Sequence, residues 1–187
     1  MTETTVLMDE ATVRRTLMRM AHEIVEKNKG TENLVLVGIA RRGATLAWLL
    51  RDNIARIENV TLPCGALDIR FYRDDLTRAS EAPVVRETGL PFDVTGKRVV
   101  LVDDVLFTGR TVRAAIEALF AQGRPQCIEL AILIDRGHRE LPIRADFVGK
   151  SIPTSLLEKV AVQVPEYDGA MGVALHRGVA ASGEETK

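Results

Sequence analysis

Hydrophobic positions along this chain follow two different periods. Val13, Leu17, Met20 and Ile24 recur at helical spacing, which predicts an amphipathic helix. Asp9 stands where the N-cap of that helix would fall, and Gly30 where the helix would stop. Leu34 to Ile39 is then a continuous apolar run, the pattern of a strand buried on both faces of a parallel sheet. A basic turn, Ala40-Arg41-Arg42-Gly43, leads into a second helical pattern through Leu46, Leu50 and Ile54. Residues 62–72 alternate, with Leu67, Ile69 and Phe71 on one face, as in a strand. The stretch 73–90 is polar and mixed in charge, with Pro83 and Gly89. It predicts a long loop, and loops of that length in compact domains often serve as lids. Val99 to Val102 forms another apolar run, followed by a helical pattern through Ile116, Leu119 and Phe120 that Gly123 and Pro125 close. Cys127 to Ile134, Asp146 to Gly149 and Lys159 to Val164 read as further strands, Val173 to Leu175 as a last edge strand, and residues 180–187 as a frayed tail. Strands alternating with helices predict an α/β fold around a mostly parallel sheet.

Composition narrows the classes of function. At 187 residues with 46% hydrophobic content, the chain suits a single domain with a sizeable core. Twenty-five Lys and Arg balance 26 Asp and Glu, for a net charge of −1. Any nucleic-acid binding would therefore need a local basic patch. The opening MTETTVLMDE carries no apolar run of signal length, and no apolar stretch reaches membrane-spanning length. A soluble cytoplasmic protein without membrane attachment is expected. Cys64 and Cys127 are far apart and stand in apolar, strand-like settings, so both are expected to be buried free thiols. His22, His138 and His176 are not spaced as a metal site.

The richest chemistry lies in Val99-Val100-Leu101-Val102-Asp103-Asp104-Val105-Leu106-Phe107-Thr108-Gly109-Arg110-Thr111. An apolar strand ends on two carboxylates, and a polar turn then opens a helix. Open α/β sheets bind ligands at the carboxyl ends of their strands, and the backbone N–H groups that begin a helix can hold a phosphate. Ionised Asp103 and Asp104 are acceptors suited to hydroxyl donors or a cation. Thr108 and Thr111 add hydroxyl donors, and Gly109 lets the backbone approach a ligand closely. Ribose 5-phosphate presents both kinds of group. The Arg41-Arg42 turn also follows a strand, and its guanidinium forks suit a diphosphate.

The Asp103–Thr111 segment resembles the phosphoribosyl-pyrophosphate (PRPP) signature of type I phosphoribosyltransferases. The resemblance implies that fold: a central sheet flanked by helices, a small hood drawn from about residues 146–178, and a mobile lid at about 73–90, all within one domain over 1–187. It implies a PRPP and nucleotide site made by Arg41, Arg42, Asp103, Asp104, Val105, Leu106, Phe107, Thr108, Gly109, Arg110 and Thr111. In that family the loop at Arg41-Arg42 holds pyrophosphate and often carries a strained peptide. Asp103 and Asp104, with Arg73 and Arg86 from the lid, are the candidates to act on the reacting groups. Mg²⁺ would arrive with PRPP, held by substrate oxygens and water rather than by a protein cage.

Further segments narrow the resemblance. Asp68 to Leu76, Asp135 to Asp146, Gly149 to Ser155, Asp9-Glu10 through Arg14-Arg15, and Ala21-His22-Glu23 are similar to the PyrR family of bifunctional pyrimidine-operon attenuators and uracil phosphoribosyltransferases. That family implies uracil as the base, UMP as product and UMP or UTP as effector, with Arg136 and the backbone of Val160 at the base. It also implies binding of pyr leader RNA, for which Arg15, Arg19, His22, His138, Arg139, Arg144 and Lys150 are the candidates, and a homo-oligomer. Position 18 is Met where the family pattern has a hydroxyl residue, and position 156 is Leu where it has Lys. Both remove polar contacts from the RNA face. The alternative reading is a purely metabolic phosphoribosyltransferase without RNA binding.

Overall fold

Asp9 caps the first helix as the pattern predicts: its carboxylate accepts the Thr12 N–H at 2.8 Å. A computed structural model describes residues 3–69 and 89–177. Helix α1 (Glu10–Asn28) ends in a Schellman turn. The left-handed residue is Lys29, at φ 55°, and Gly30 follows at φ 116°. Gly30 N–H then closes back on the Val25 carbonyl at 3.0 Å.

Strand β1 (Glu3–Met8) precedes α1, and β2 (Leu34–Ile39), α2 (Arg42–Glu58) and β3 (Cys64–Leu67) follow it. Next come β4 (Arg98–Leu106), α3 (Arg110–Gln122), β5 (Cys127–Asp135) and β6 (Phe147–Ser151). The described chain closes with β7 (Glu158–Gln163), α4 (Pro165–Asp168) and β8 (Gly172–Arg177). Five strands make a parallel sheet in the order β3-β2-β4-β5-β6. Because side chains alternate along a strand, Leu34, Leu36, Val100 and Val102 face one side, where they pack with Leu17, Met20, Ile24, Leu50 and Ile54 of α1 and α2. Val35, Val37, Val99 and Leu101 face the other side and pack with Val112, Ala115 and Leu119 of α3. Each fully buried Leu, Ile or Val contributes about 1.5–3 kcal/mol. The continuous apolar runs read in the sequence are thus strands covered on both faces.

Several expectations need correction. β1 was not expected. Only one of its six residues is buried, so its local pattern is weak, and it forms by antiparallel pairing with β8, Glu3 opposite Arg177. β8 is therefore the middle strand of a three-stranded sheet, β1-β8-β7, rather than an edge. The span 146–178 divides between two sheets: β6 extends the large sheet beside β5, and only β7 and β8 belong to the small hood sheet. The strand expected over 62–72 is regular over Cys64–Leu67, although Leu62, Leu67 and Ile69 are all buried. The cysteines are not both buried: Cys64 is half-buried, and Cys127 is exposed because it opens β5 where that strand emerges from the sheet. The lid, with Arg73 and Arg86, lies outside the described residues apart from Gly89 and Leu90, as do Phe71 and the tail after Arg177.

Candidate active site

Chain path decides where a ligand can enter. From β2 the chain crosses through α2 to β3 on one side, and from β4 it crosses through α3 to β5 on the other. Because β2 and β4 are neighbours, their connections diverge, and a crevice opens between their carboxyl ends. Register sharpens it. β2 pairs with β4 only as far as Gly38 opposite Val102, whereas β4 continues beside β5 to Leu106 opposite Asp135. Asp103 to Leu106 therefore project beyond β2 along the crevice.

Two cavities occupy this end of the sheet. One, of about 440 Å³, is lined by Ile39, Ala40, Arg41, Arg42, Asp68, Ile69, Asp103, Asp104, Val105 and Thr111. The other, of about 270 Å³, is enclosed by Val105 to Val112 and Glu140. They share Val105 and Thr111. The carboxylate pair, the arginine turn and the polar turn predicted from sequence thus meet at one place.

The Arg41-Arg42 turn is pinned from both sides. Ala40 N–H donates to the Leu67 carbonyl of β3 at 3.0 Å, and the Ala40–Arg41 peptide bond is cis. On the other side Gly43 lies against β4. A Cβ there would meet the Val102 carbonyl oxygen at 2.5 Å and the Asp103 Cα at 3.1 Å, so only glycine allows this approach. Arg41 is exposed, whereas Arg42 is held by Asp168 of the hood, with an NH2 contact of 2.8 Å.

Asp103 is buried and Asp104 half-buried. Asp103 Oδ1 accepts the Asp104 N–H, and Asp104 Oδ1 accepts the Val105 N–H, each at 2.9 Å. These bonds turn the carboxylates back along the strand end. Gly109, at φ 94°, starts α3 without a side-chain cap of its own, Thr108 Oγ1 accepts the Arg110 N–H at 3.3 Å, and a helix start of this kind favours an anion.

The segment after β5 supports the polar turn. Thr108 carbonyl accepts from Glu140 N–H at 3.0 Å and Leu141 N–H at 3.2 Å, and Arg110 Nε donates to Glu140 at 2.8 Å. Arg139 is turned inward. Its guanidinium donates to the carbonyls of Phe107 (2.9 Å), Ile143 (3.0 Å) and Gly137 (3.2 Å), and to the Asp135 carboxylate (2.5 Å). Arg139, a candidate for the RNA face, thus ties the end of β4 to the segment after β5.

Arg136 is also buried. Its guanidinium stacks on Phe107, 4.2 Å from the ring centroid, and donates to the Thr154 hydroxyl and the Ser155 carbonyl. Burial pulls it below the ordinary arginine value. His138 sits at φ 60° with Nε2 against the Thr154 carbonyl at 2.6 Å, and it meets the Phe107 ring edge-on. Both side chains tie the β6–β7 connection to the site. Val160 is buried in β7, an edge strand of the small sheet with one row of backbone groups beyond its pairing to β8.

The other basic candidates lie apart from the crevice. Arg15 and His22 are exposed on α1. Arg19 pairs with Glu23 and donates to the carbonyls of Val148 and Gly149, which sets the α1 stripe beside β6 and the exposed Lys150. Arg144 is exposed further along the same segment. Sequence reasoning did not single out Asp135, Glu140 or Asp168. Asp135 and Glu140 stand within the Asp135–Asp146 segment, and Asp168 carries no local signal. Among the described residues no cluster of three or more His, Cys, Asp or Glu could hold a metal ion, and no helix is long and apolar enough to cross a membrane.

A parallel sheet with paired carboxylates and a polar turn at its switch point defines a class, and comparison with known proteins agrees with it. The model of the phosphoribosyl transferase domain matches residues 7–168. The Trypanosoma cruzi hypoxanthine phosphoribosyltransferase shares the fold, with a TM-score of 0.71 at 21% identity over 92% of this chain and 94% of that one. Among relatives, the bifunctional protein PyrR of Caldicellulosiruptor bescii is 64% identical over 162 residues, 87% of this chain and 89% of its own. That of Thermus thermophilus is 60% identical over 169 residues, 90% and 93%. The chain belongs to the phosphoribosyltransferase family, among its bifunctional PyrR proteins.

Proposed function

We propose that this chain transfers ribose 5-phosphate from PRPP to uracil, giving UMP and pyrophosphate, and that it binds pyrimidine-operon leader RNA in response to uridine nucleotides. The observation that carries the enzymatic reading is the crevice between β2 and β4, where Asp103 and Asp104 face the Arg41-Arg42 turn and adjoin the Thr108–Thr111 turn. Asp103 and Asp104 accept the ribose hydroxyls. The N–H groups at the start of α3, with the Thr108 and Thr111 hydroxyls, take the 5′-phosphate, and Arg41 and Arg42 take the diphosphate. Uracil N1 bonds to ribose C1′ as the C1′–O bond to diphosphate breaks, and the N1 proton goes to solvent. The residues contribute by positioning the reactants and stabilising charge on the leaving group. Hard carboxylate oxygens beside a diphosphate site fit Mg²⁺. Bound with PRPP and in reach of Asp103 or Asp104, the ion would neutralise charge on the leaving diphosphate.

Uracil is assigned to the space bounded by Phe107, Arg136 and the β7 edge near Val160. RNA is assigned to Arg15, Arg19, His22, Arg144 and Lys150, with His138 and Arg139 acting from behind by holding the nucleotide turn. The protein is proposed to work in the cytoplasm as a homo-oligomer of single-domain subunits. Two assays test the reading: conversion of labelled uracil with PRPP and Mg²⁺, and retention of leader RNA with and without UMP at near-physiological salt. Turnover abolished by Asp104→Asn and UMP-strengthened RNA binding are expected. Full activity in Asp104→Asn would overturn the site. Weak, UMP-independent RNA binding that vanishes with salt would leave a metabolic phosphoribosyltransferase.

A further inference from the structure

Helix α2 starts without a side-chain cap of its own, and the hood brings carboxylates to that end. Asp168 Oδ1 accepts from Arg42 NH2 at 2.8 Å, and Oδ2 accepts from Arg42 Nε at 3.2 Å. The same Oδ2 accepts the Val164 N–H at 2.9 Å, closing α4 on itself. Glu166 accepts the Thr45 hydroxyl at 2.6 Å, and Thr45 is buried on the first turn of α2. Two anionic side chains from α4 thus lie against the positive end of α2, where negative charge is favoured. The same turn carries the arginines that face the crevice.

A guanidinium fork held by one carboxylate has less to offer a second anion, and a diphosphate placed beside Asp168 meets like charge. We propose that Asp168 is the resident counter-anion of Arg42, displaced when a diphosphate binds, so that this side chain sets the affinity for diphosphate-bearing ligands but not for nucleoside monophosphates. The inference rests on the reading of the Arg41-Arg42 turn as the diphosphate site. It adds a selectivity residue from the hood, and it couples hood position to occupancy of that turn, since Asp168 ends α4, which links β7 to β8.

Asp168→Asn is the test. The amide oxygen still accepts the Val164 N–H, so α4 keeps its closure while the charge that pairs with Arg42 is gone. Titration calorimetry on the full chain with Mg²⁺ compares PRPP, inorganic pyrophosphate and UMP. For a partly exposed ion pair, PRPP and pyrophosphate are expected to bind roughly two- to fivefold tighter in the variant. UMP affinity should not change, and Asp168→Glu should restore wild-type values. Asp168→Ser, whose hydroxyl can also accept from Val164, repeats the measurement should the amide not fold. Unchanged or weaker PRPP and pyrophosphate binding overturns the proposal, as does equal tightening of UMP. Arg42→Gln tests the underlying reading separately: undiminished PRPP and pyrophosphate binding there would show that the turn is not the diphosphate site, and the proposal would fall with it.

Discussion

Replacing Arg139 by Ala probes how the phosphate turn is held. The wild-type guanidinium donates to four backbone carbonyls, those of Leu106, Phe107, Gly137 and Ile143, and to the Asp135 carboxylate. Hydrogen bonds involving a charged group are worth about 1.5–3 kcal/mol each when their partners are left buried. The Arg139 side chain is 23% exposed and that of Asp135 20%, so water would replace part of what is lost. A net destabilisation of about 3 kcal/mol is the expectation. For a chain of this size that lowers the melting temperature by roughly 6–12 °C. Because Phe107 and Ile143 flank the turn, the KM for PRPP should rise at least about tenfold, through lost preorganisation.

The pH dependence supplies a second readout. Burial works to raise the Asp135 pKa, but hydrogen bonds from Arg139 and the Gly137 N–H outweigh it and hold the carboxyl below its ordinary 3.8. A lowered folded value stabilises the protein above the unfolded pKa, and that stability is lost as pH falls through the folded value. The gap between wild type and Arg139→Ala should therefore be widest near neutrality and narrow below about pH 4. Thermal melts over pH 3–7 and PRPP saturation curves make the measurement, with the exposed Arg144→Ala as a control expected to leave both unchanged. Unaltered stability and PRPP saturation in Arg139→Ala, with RNA retention lost, would refute the argument and return Arg139 to an RNA face.

Other outcomes follow from the same geometry. Gly43→Ala drives a Cβ to 2.5 Å from the Val102 carbonyl; a loss of about 1–3 kcal/mol and weaker PRPP binding are expected, and a fully stable, fully active variant would show that the turn can retreat from β4. Burial pushes the Cys64 thiol up to about 11, while Cys127 is exposed. Iodoacetamide at pH 8 should label Cys127 well before Cys64, as read by mass spectrometry, and equal rates would contradict the burial of Cys64. Leu156 is 70% exposed, so Leu156→Lys should steepen the log–log salt dependence of RNA binding by about 0.7–0.9, one phosphate contact. An unchanged slope would remove the β6–β7 connection from the RNA surface.

Much of this protein is determined within short stretches of chain. The apolar runs at Leu34–Ile39 and Val99–Val102 read as covered strands, because six or four consecutive buried residues need packing on both faces. Asp9 capped α1 because a carboxylate at that position reaches the Thr12 N–H whatever the rest of the fold does. Asp103 through Thr111 carried their own chemistry, since acceptors, hydroxyls and a left-handed glycine lie within one turn of one another. Tertiary structure alone decided what depends on distant partners. β1 exists because β8 offers it an edge 172 residues away, from Thr4 to His176. Arg139 and Arg19 look alike in sequence as exposed basic residues. One turned inward because acceptors from the end of β4 and from the end of β5 and the segment after it converge on it, and the other bridges α1 to the carbonyls of β6. Arg42 acquired its Asp168 partner only when the hood folded over the start of α2. Local sequence sets which groups a segment can present, through backbone preference and side-chain period. Which groups they meet is set by sheet order and register, and these are properties of the whole chain.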